Sequence, residues 1–227
     1  MPDDRLELLR ELERADEAVA AELTEVDELY AAVEELRGRA LGLADQLVAL
    51  PERQATAAEA VREAELGVAA ARREAERAAA EVAHAGEEQL AEARRRELVA
   101  RDSLHVSERL AAAARSRAAE LEGRAQAATS EIRALESRAG DLAEALARRP
   151  RVAGEAVGDP ASGTAGVSEW GTRARAALLV ARSQLAAERD AVVRQAHELA
   201  AVVLGEPLPP LGAREVVRQV EEQLAPK

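Results

Sequence analysis

Apolar residues recur every seven positions along most of this 227-residue chain. One such row runs from Leu12 to Val82, and Gln54 is its one polar member. A second row runs from Leu8 to Ala85, with Glu22 as its exception. Two rows that lie three or four positions apart form a single stripe on an α-helix, and such a stripe packs against partner helices as in a coiled coil. The spacing therefore predicts an all-α protein.

The composition predicts thin helix–helix seams rather than a thick interior. Hydrophobic residues make up 48% of the chain, but aromatic residues make up only 1%, and Tyr30 and Trp170 are the aromatic side chains present. Most of the apolar residues are alanine, leucine and valine, and charged residues reach 33%. This bias is typical of long helices. We therefore expect an elongated antiparallel coiled coil or helical bundle.

The rows and the breaks between them predict four parts of the chain. They are an N-terminal coiled-coil hairpin over 1–148, a flexible linker rich in Pro, Gly and Ser over 149–168, a helix over 169–204 that packs back on the coil, and a Pro-rich turn with a short terminal helix over 205–227. Ser168 is the expected N-cap of the third part, and Gly205 is its expected end.

The first part is expected to contain a helix over about 3–50 and a long spine helix over about 56–148. Pro51 lies between them, and the apolar register continues across it. An unbroken register favours one kinked helix, whereas an interior proline costs about 3 kcal/mol and disfavours helical angles at Leu50. Thr56 also begins the S/T-x-x-E spacing of a helix start.

The helix lengths favour a reversal of the chain at Pro51, with a kink as the alternative. After a reversal, the first helix would lie against the spine up to about Arg101. The helix over 169–204 would then lie against the remainder of the spine, so that both shorter helices flank it. Pro51 is therefore one predicted hinge.

Gly86 is the second predicted hinge. Beyond it, both apolar rows continue one position later, along 104–146 and 114–142. A slip of one residue turns the apolar face by about 100°, so the spine would change its neighbour near this point. The glycine could instead end a helix, because glycine costs about 1 kcal/mol in a helix interior.

The sequence lacks the patterns that support catalysis. His84, His105 and His197 are isolated, and none has a second His or Cys at metal-ligand spacing. The phosphate loop, the dinucleotide fingerprint and the G-x-S-x-G nucleophile elbow are absent. We therefore predict a protein that is not an enzyme and has no catalytic, cofactor or metal site. No motif identifies a family.

A long apolar seam is typical of proteins that space, join or dock other proteins. We predict a structural, scaffold or adaptor protein with protein partners or self-association, including a homo-oligomer. The candidate docking residues lie in the terminal helix and are Val216, Val217, Val220 and Leu224. The alternative is that this helix folds onto the end of the bundle.

The net charge of −12 argues against nucleic acid and anionic membranes as partners. Arginine clusters at 94–96 and 148–151 keep a nucleic-acid-organising coiled coil as an alternative function. Membrane-surface remodelling by helical hairpins is another alternative, although no stretch approaches the roughly 20 apolar residues of a membrane span. The lack of cysteine and of a signal peptide predicts a cytoplasmic location.

Overall fold

The computed structural model of the chain describes residues 2–149, 151–152 and 158–224. The described residues form five helices: α1 Pro2–Val48, α2 Leu50–His84, α3 Glu87–Ala147, α4 Gly163–Leu204 and α5 Ala213–Leu224. They contain no strand, and α1 packs antiparallel to α4 as α2 does to α3. The predicted all-α antiparallel bundle is therefore confirmed.

The chain divides into two units with separate interiors. We call residues 1–41 and 134–227 the four-helix unit, because it holds most of α1, the end of α3, and α4 and α5. We call residues 42–133 the hairpin unit, which holds the last turns of α1, all of α2 and most of α3.

Polar pairs fix the direction of α1 against α4 in the four-helix unit. Arg37 Nε donates to Thr172 Oγ1 at 3.1 Å. Arg189 Nε lies 2.9 Å from Asp16 Oδ1. The α1 numbers fall as the α4 numbers rise, so these helices are antiparallel. The guanidinium of Arg138 on α3 also donates twice to Glu35, which brings the end of α3 against α1.

Large side chains fill the interior of the four-helix unit. The largest fully buried ones are Trp170, Leu9, Leu36, Leu146, Leu178, Leu185, Val33, Val167, Val216 and Val220. Each of these removes far more apolar surface from water than an alanine does, so this unit has a true core.

The hairpin unit has a much thinner interior. Its buried hydrophobic residues are Leu43, Ala57, Ala78, Ala93, Ala100, Ala111 and Leu121. Two ion pairs join its helices, Arg96 Nη1 to Glu81 at 3.8 Å and Arg115 Nε to Glu65 at 3.5 Å. The α2 numbers fall as the α3 numbers rise, which makes α2 and α3 an antiparallel hairpin.

The chain reverses at Ala85 and Gly86. Ala85 has extended backbone angles, φ −70° and ψ 135°. The carbonyl oxygen of Gly86 accepts from the N–H groups of Gln89 and Leu90, both at 3.0 Å, and so begins α3. The expected single spine helix over 56–148 is therefore two helices, and the glycine ends a helix, as the alternative interpretation allowed.

The expected reversal at Pro51 is wrong. Ala49 keeps right-handed helical angles, φ −87° and ψ −10°, and its carbonyl oxygen accepts from the N–H of Arg53 at 3.3 Å. Proline is tolerated in the first turn of a helix, where an N–H would have no intrahelical partner. Pro51 thus marks a break between α1 and α2 without turning the chain back. Whether Pro51 or Gly86 acts as a hinge stays a prediction.

The pairing of helices differs from the expectation for the same reason. With the reversal at Gly86 instead of Pro51, the partner of α2 is α3, and the partner of α1 is α4. The N-terminal helix therefore does not lie against the helix that follows it.

The helix α4 begins earlier than expected, at Gly163 instead of residue 169. Its N-cap is Ser162, whose side chain makes no capping bond, and Ser168 lies inside the helix. The N–H of Gly163 donates to Glu136 Oε1 on α3 at 2.6 Å, so a carboxylate from another helix stabilises this end. Of the predicted linker, residues 150 and 153–157 lie outside the described residues.

The end of α4 agrees with the sequence. Gly205 has left-handed angles, φ 78° and ψ 3°, and its N–H donates to the carbonyl oxygen of Ala201 at 2.9 Å. Glycine adopts this conformation without the steric cost that other residues meet, which confirms it as the residue that ends the helix.

Candidate functional site

Helix α5 carries the four residues predicted to dock a partner protein. Val216, Val217 and Val220 are buried, whereas Leu224 is 44% exposed. The three valines belong to a cluster of buried residues that also contains Leu9, Ala196, Ala200 and Ala213. The structure thus places the valines against α1 and α4, which is the alternative that the sequence left open. Of the four candidates, Leu224 is the one accessible to a partner.

Polar contacts hold α5 and the turn before it in place. Arg10 on α1 donates from Nε and Nη2 to Glu221 Oε1 at 2.9 and 2.7 Å. His197 Nε2 lies 2.8 Å from the carbonyl oxygen of Leu211 and 3.2 Å from its backbone nitrogen. No role for this histidine followed from the sequence, because the contact depends on how the proline-rich turn folds back onto α4.

Trp170 anchors the start of α4. The side chain is fully buried, and its Nε1–H donates to the carbonyl oxygen of Gly158 at 3.0 Å. The next residue, Gly171, lies against α1, because an added Cβ would come within 3.1 Å of Arg37 Cβ. A lone tryptophan in a chain poor in aromatic residues was the sequence signal that could have pointed to this anchor.

The arginine cluster at 148–151 lines a cavity of about 330 Å³ in the four-helix unit. Its lining residues are Glu22, Glu25, Val26, Arg148, Arg149, Arg151, Val152 and Leu185. Arg149 forms an ion pair with Glu25, and Arg151 pairs with Glu188 and, at 3.5 Å, with Glu22. The cavity is therefore walled by matched opposite charges.

The ion pair between Arg151 and Glu188 shifts the pKa of both groups. The hydrogen bond from Arg151 holds the pKa of Glu188 below its ordinary value of 4.5, and the same bond raises the pKa of Arg151. Both side chains are partly exposed, so solvent weakens the interaction. The pair can orient the chain after α3 but has no group poised for proton transfer near neutral pH.

The second arginine cluster lies in the hairpin unit. Arg95 pairs with Glu92 at 4.0 Å, and Arg96 lies 3.6 Å from Glu92 and 3.8 Å from Glu81. These arginines line a shallow groove of about 450 Å³ between α2 and α3. The other residues of this groove are Glu74, Arg77, Ala78, Glu81, Glu92, Val99, Ala100 and Ser103.

Several large apolar side chains on the hairpin unit point away from its seam. Val99, Val106 and Leu110 on α3 are 69%, 55% and 61% exposed. Leu66 on α2 and Leu98 on α3 are 70% and 62% exposed. Sequence reasoning missed these residues, because it counted the positions within the rows and not those beside them.

Among the residues that the structure describes, no group of three or more His, Cys, Asp and Glu side chains could hold a metal ion. No helix in this part of the chain is long and apolar enough to cross a membrane.

The chain matches no protein-family model, no curated protein and no solved structure.

Proposed function

We propose that this chain is a non-enzymatic structural protein, a coiled-coil scaffold or adaptor that joins or spaces other proteins. The observation that carries the proposal is the burial pattern of the hairpin unit. From Gln54 to Val82, every buried or half-buried residue of α2 lies three or four positions after the previous one. From Leu90 to Leu121, α3 follows the same rule.

This pattern supports two-stranded coiled-coil packing. Alternating steps of three and four residues place two positions of every seven in the seam and leave the other five on the surface. The seam is mostly alanine, so the helices can approach closely while most of their length remains accessible. A two-helix arm of this kind offers a long surface to other proteins but little room for a water-excluding pocket.

The four-helix unit supports the proposal as a stable attachment point. Its buried tryptophan and the interhelical pairs of Arg37, Arg138 and Arg189 fix α1, the end of α3 and α4 in register. A unit with such a core can keep its fold while the hairpin unit binds a partner. Self-association is one form of this function, and binding of a different protein is another.

Quantitative co-purification from the source organism tests the proposal. A tagged full-length chain is compared with the tag alone and with a Leu66→Gln, Leu98→Gln variant. Because these two side chains are exposed and outside the seam, the variant should keep its helical circular dichroism. We expect defined proteins to be enriched with the parent chain and at least one to be depleted with the variant. Enrichment no greater than with the tag alone, together with a chain that does not self-associate, would contradict the proposal.

A further inference from the structure

One face of the hairpin unit carries an apolar stripe beside the seam. Val99, Val106 and Leu110 are spaced i, i+7 and i+11 on α3, so they share one side of that helix. Val99 also lines the groove between α2 and α3, which identifies the side of the hairpin on which the stripe lies. All three side chains are more than half exposed.

The neighbouring stretch of α2 on this face has small residues. Gly67 and Ala70 precede Glu74 and Arg77 by seven positions each, and Glu74 and Arg77 line the same groove. The pairs Glu65 with Arg115 and Glu81 with Arg96 set the register of the hairpin. This register brings Gly67 and Ala70 alongside Leu110 and Val106. We call Gly67, Ala70, Val99, Val106 and Leu110 the Val106 face.

The Val106 face thus has bulky side chains along α3 and an almost flat strip along α2. An ideal Cβ on Gly67 would meet no atom within 4 Å, so none of the residues that the structure describes fills the space above it. Such a surface has a ridge on one helix and a hollow on the other. A second copy of it, rotated so that each ridge lies in the hollow of the other copy, is therefore complementary in shape.

The charged residues of the same face are also arranged in a complementary way, with opposite signs on its two edges. Around the small residues, α2 presents Glu63, Glu74 and Glu81 against Arg73 and Arg77. On the α3 side, the flanking residues are Arg95, Arg96, Arg109 and Arg117 against Glu92 and Asp102. The α2 edge is therefore acidic and the α3 edge is basic. Glu63 and Arg117 have no ion pair among the described residues.

We infer that the Val106 face binds a second copy of this chain. A twofold axis parallel to the hairpin would place α2 of each copy antiparallel on α3 of the other. Val106 and Leu110 would then pack over the small residues of the partner copy, and Glu63 would face Arg117 across the interface. A twofold axis perpendicular to the hairpin would instead set ridge on ridge and acidic edge on acidic edge.

The size of the face suits a dimer. The stretch of α3 from Glu92 to Arg117 is about 38 Å long, and two neighbouring helices are about 20 Å wide. Packing of two such faces would cover about 750 Å² on each copy, close to the roughly 800 Å² per partner of a standard interface. The four helices would form a bundle whose core contains the alanine seams and both apolar stripes. This inference rests on the proposed function and names its partner.

Sedimentation equilibrium of the full-length chain over a range of concentrations is the first test. We expect a monomer–dimer equilibrium, because the stripe and both charged edges match between copies. A Val106→Glu, Leu110→Glu variant should raise the dissociation constant by at least about 100-fold, since dimerisation would bury unpaired carboxylates. The matched control is Val180→Glu, Val202→Glu, which adds the same charges on α4 at positions that are 57% and 61% exposed, and it should leave the dissociation constant within about threefold.

Disulfide trapping is the second test, and it reports the symmetry. The parent chain has no cysteine, so every disulfide that forms must join two introduced cysteines, one from each chain. In a mixture of an Ala70→Cys chain and a Leu110→Cys chain, mild oxidation should give mainly the mixed dimer. Each variant alone should cross-link at least about tenfold less.

Three outcomes would overturn the inference. They are a wild-type chain that stays monomeric up to its solubility limit, equal loss of dimer in the control variant, and cross-linking of each cysteine variant mainly to itself. A monomer that still enriches other proteins in co-purification would overturn the dimer and leave the scaffold function standing. A dimer with no other enriched protein would limit the proposed function to self-association.

Discussion

At the scale of single residues, Trp170 combines the largest buried side chain with a hydrogen bond to the chain before α4. We expect Trp170→Phe to lower the free energy of unfolding by about 1–3 kcal/mol, because it leaves a gap and removes the bond to Gly158. Urea unfolding followed by far-ultraviolet circular dichroism measures the change. Val180→Ala, at a position 57% exposed, is the control and should shift stability by no more than about 0.5 kcal/mol. Equal effects would contradict the anchor role.

Glu188 should give the chain part of its acid sensitivity. Its pKa is lower in the folded state, so the stabilisation from Arg151 is present above the ordinary value of 4.5 and is lost as the pH falls through the folded pKa. A Glu188→Gln variant should therefore lose slightly less stability than the parent between about pH 6 and pH 3.

Urea midpoints across this pH range test the expectation for Glu188. The effect should be small, because the pair is partly exposed. The control is Glu144→Gln, which removes an exposed carboxylate that pairs with Arg148 one turn away on the same helix. If the urea midpoint of Glu188→Gln fell more steeply with falling pH than that of the parent, the expected direction of the effect would be wrong.

At the scale of elements, the helices were predictable because their signal is local. A residue's place in the apolar rows depends on its near neighbours, and Gly205 ends α4 through its own backbone angles. The partner of each helix could not be predicted in this way. Alanine-rich stripes resemble one another, so the sequence did not distinguish a reversal at Pro51 from one at Gly86. The apolar register that continues across Pro51 correctly favoured a chain that does not reverse there, but the expected helix lengths favoured a reversal.

The start of α4 shows a second limit of local signals. The stretch from Gly163 to Gly166 is a poor helix former, yet it is helical. The carboxylate of Glu136 and the burial of Val167 and Trp170 favour the helix there, and these contacts span regions far apart in sequence. The buried positions of Val216, Val217 and Val220 depend likewise on where α5 returns to α1.

Two glycines inside helices of the four-helix unit, Gly38 and Gly166, should respond in opposite ways to substitution by alanine. At Gly38, an added Cβ meets no atom within 4 Å, so Gly38→Ala should raise stability by up to about 1 kcal/mol through its better helix propensity. At Gly166, the Cβ would lie 2.5 Å from the carbonyl oxygen of Ala161, so Gly166→Ala should cost about 1–3 kcal/mol. Thermal unfolding of both variants gives the comparison. A gain at both positions would mean that Ala161 moves freely.

At the scale of the whole molecule, the two units should differ in stability. The four-helix unit buries a tryptophan and several leucines, whereas the hairpin unit buries mainly alanines. Each additional buried methylene contributes about 0.8 kcal/mol. We therefore expect the hairpin unit to unfold at a lower urea concentration than the four-helix unit.

Two probes of the same sample separate these transitions. Trp170 is the one tryptophan of the chain, and it reports on the four-helix unit through its fluorescence. Circular dichroism reports on all helices, so its change should begin before the change in fluorescence. If the hairpin unit dimerises, the early transition should also move to higher urea as protein concentration rises. Coincident transitions would contradict the expected difference.

The alanine seam of the hairpin unit has a further consequence for how its two helices are aligned. Alanine recurs every seven residues in the α2 seam, at Ala57, Ala64, Ala71 and Ala78. Sliding α2 along α3 by seven residues would therefore bring an alanine to each of these places again and reduce the energy difference between the two alignments. The two-residue connection at Ala85 and Gly86 is too short to permit that slide. The pairs Glu81 with Arg96 and Glu65 with Arg115 select the same alignment. The short connection thus sets the alignment of the two helices, which a repetitive seam alone would leave open.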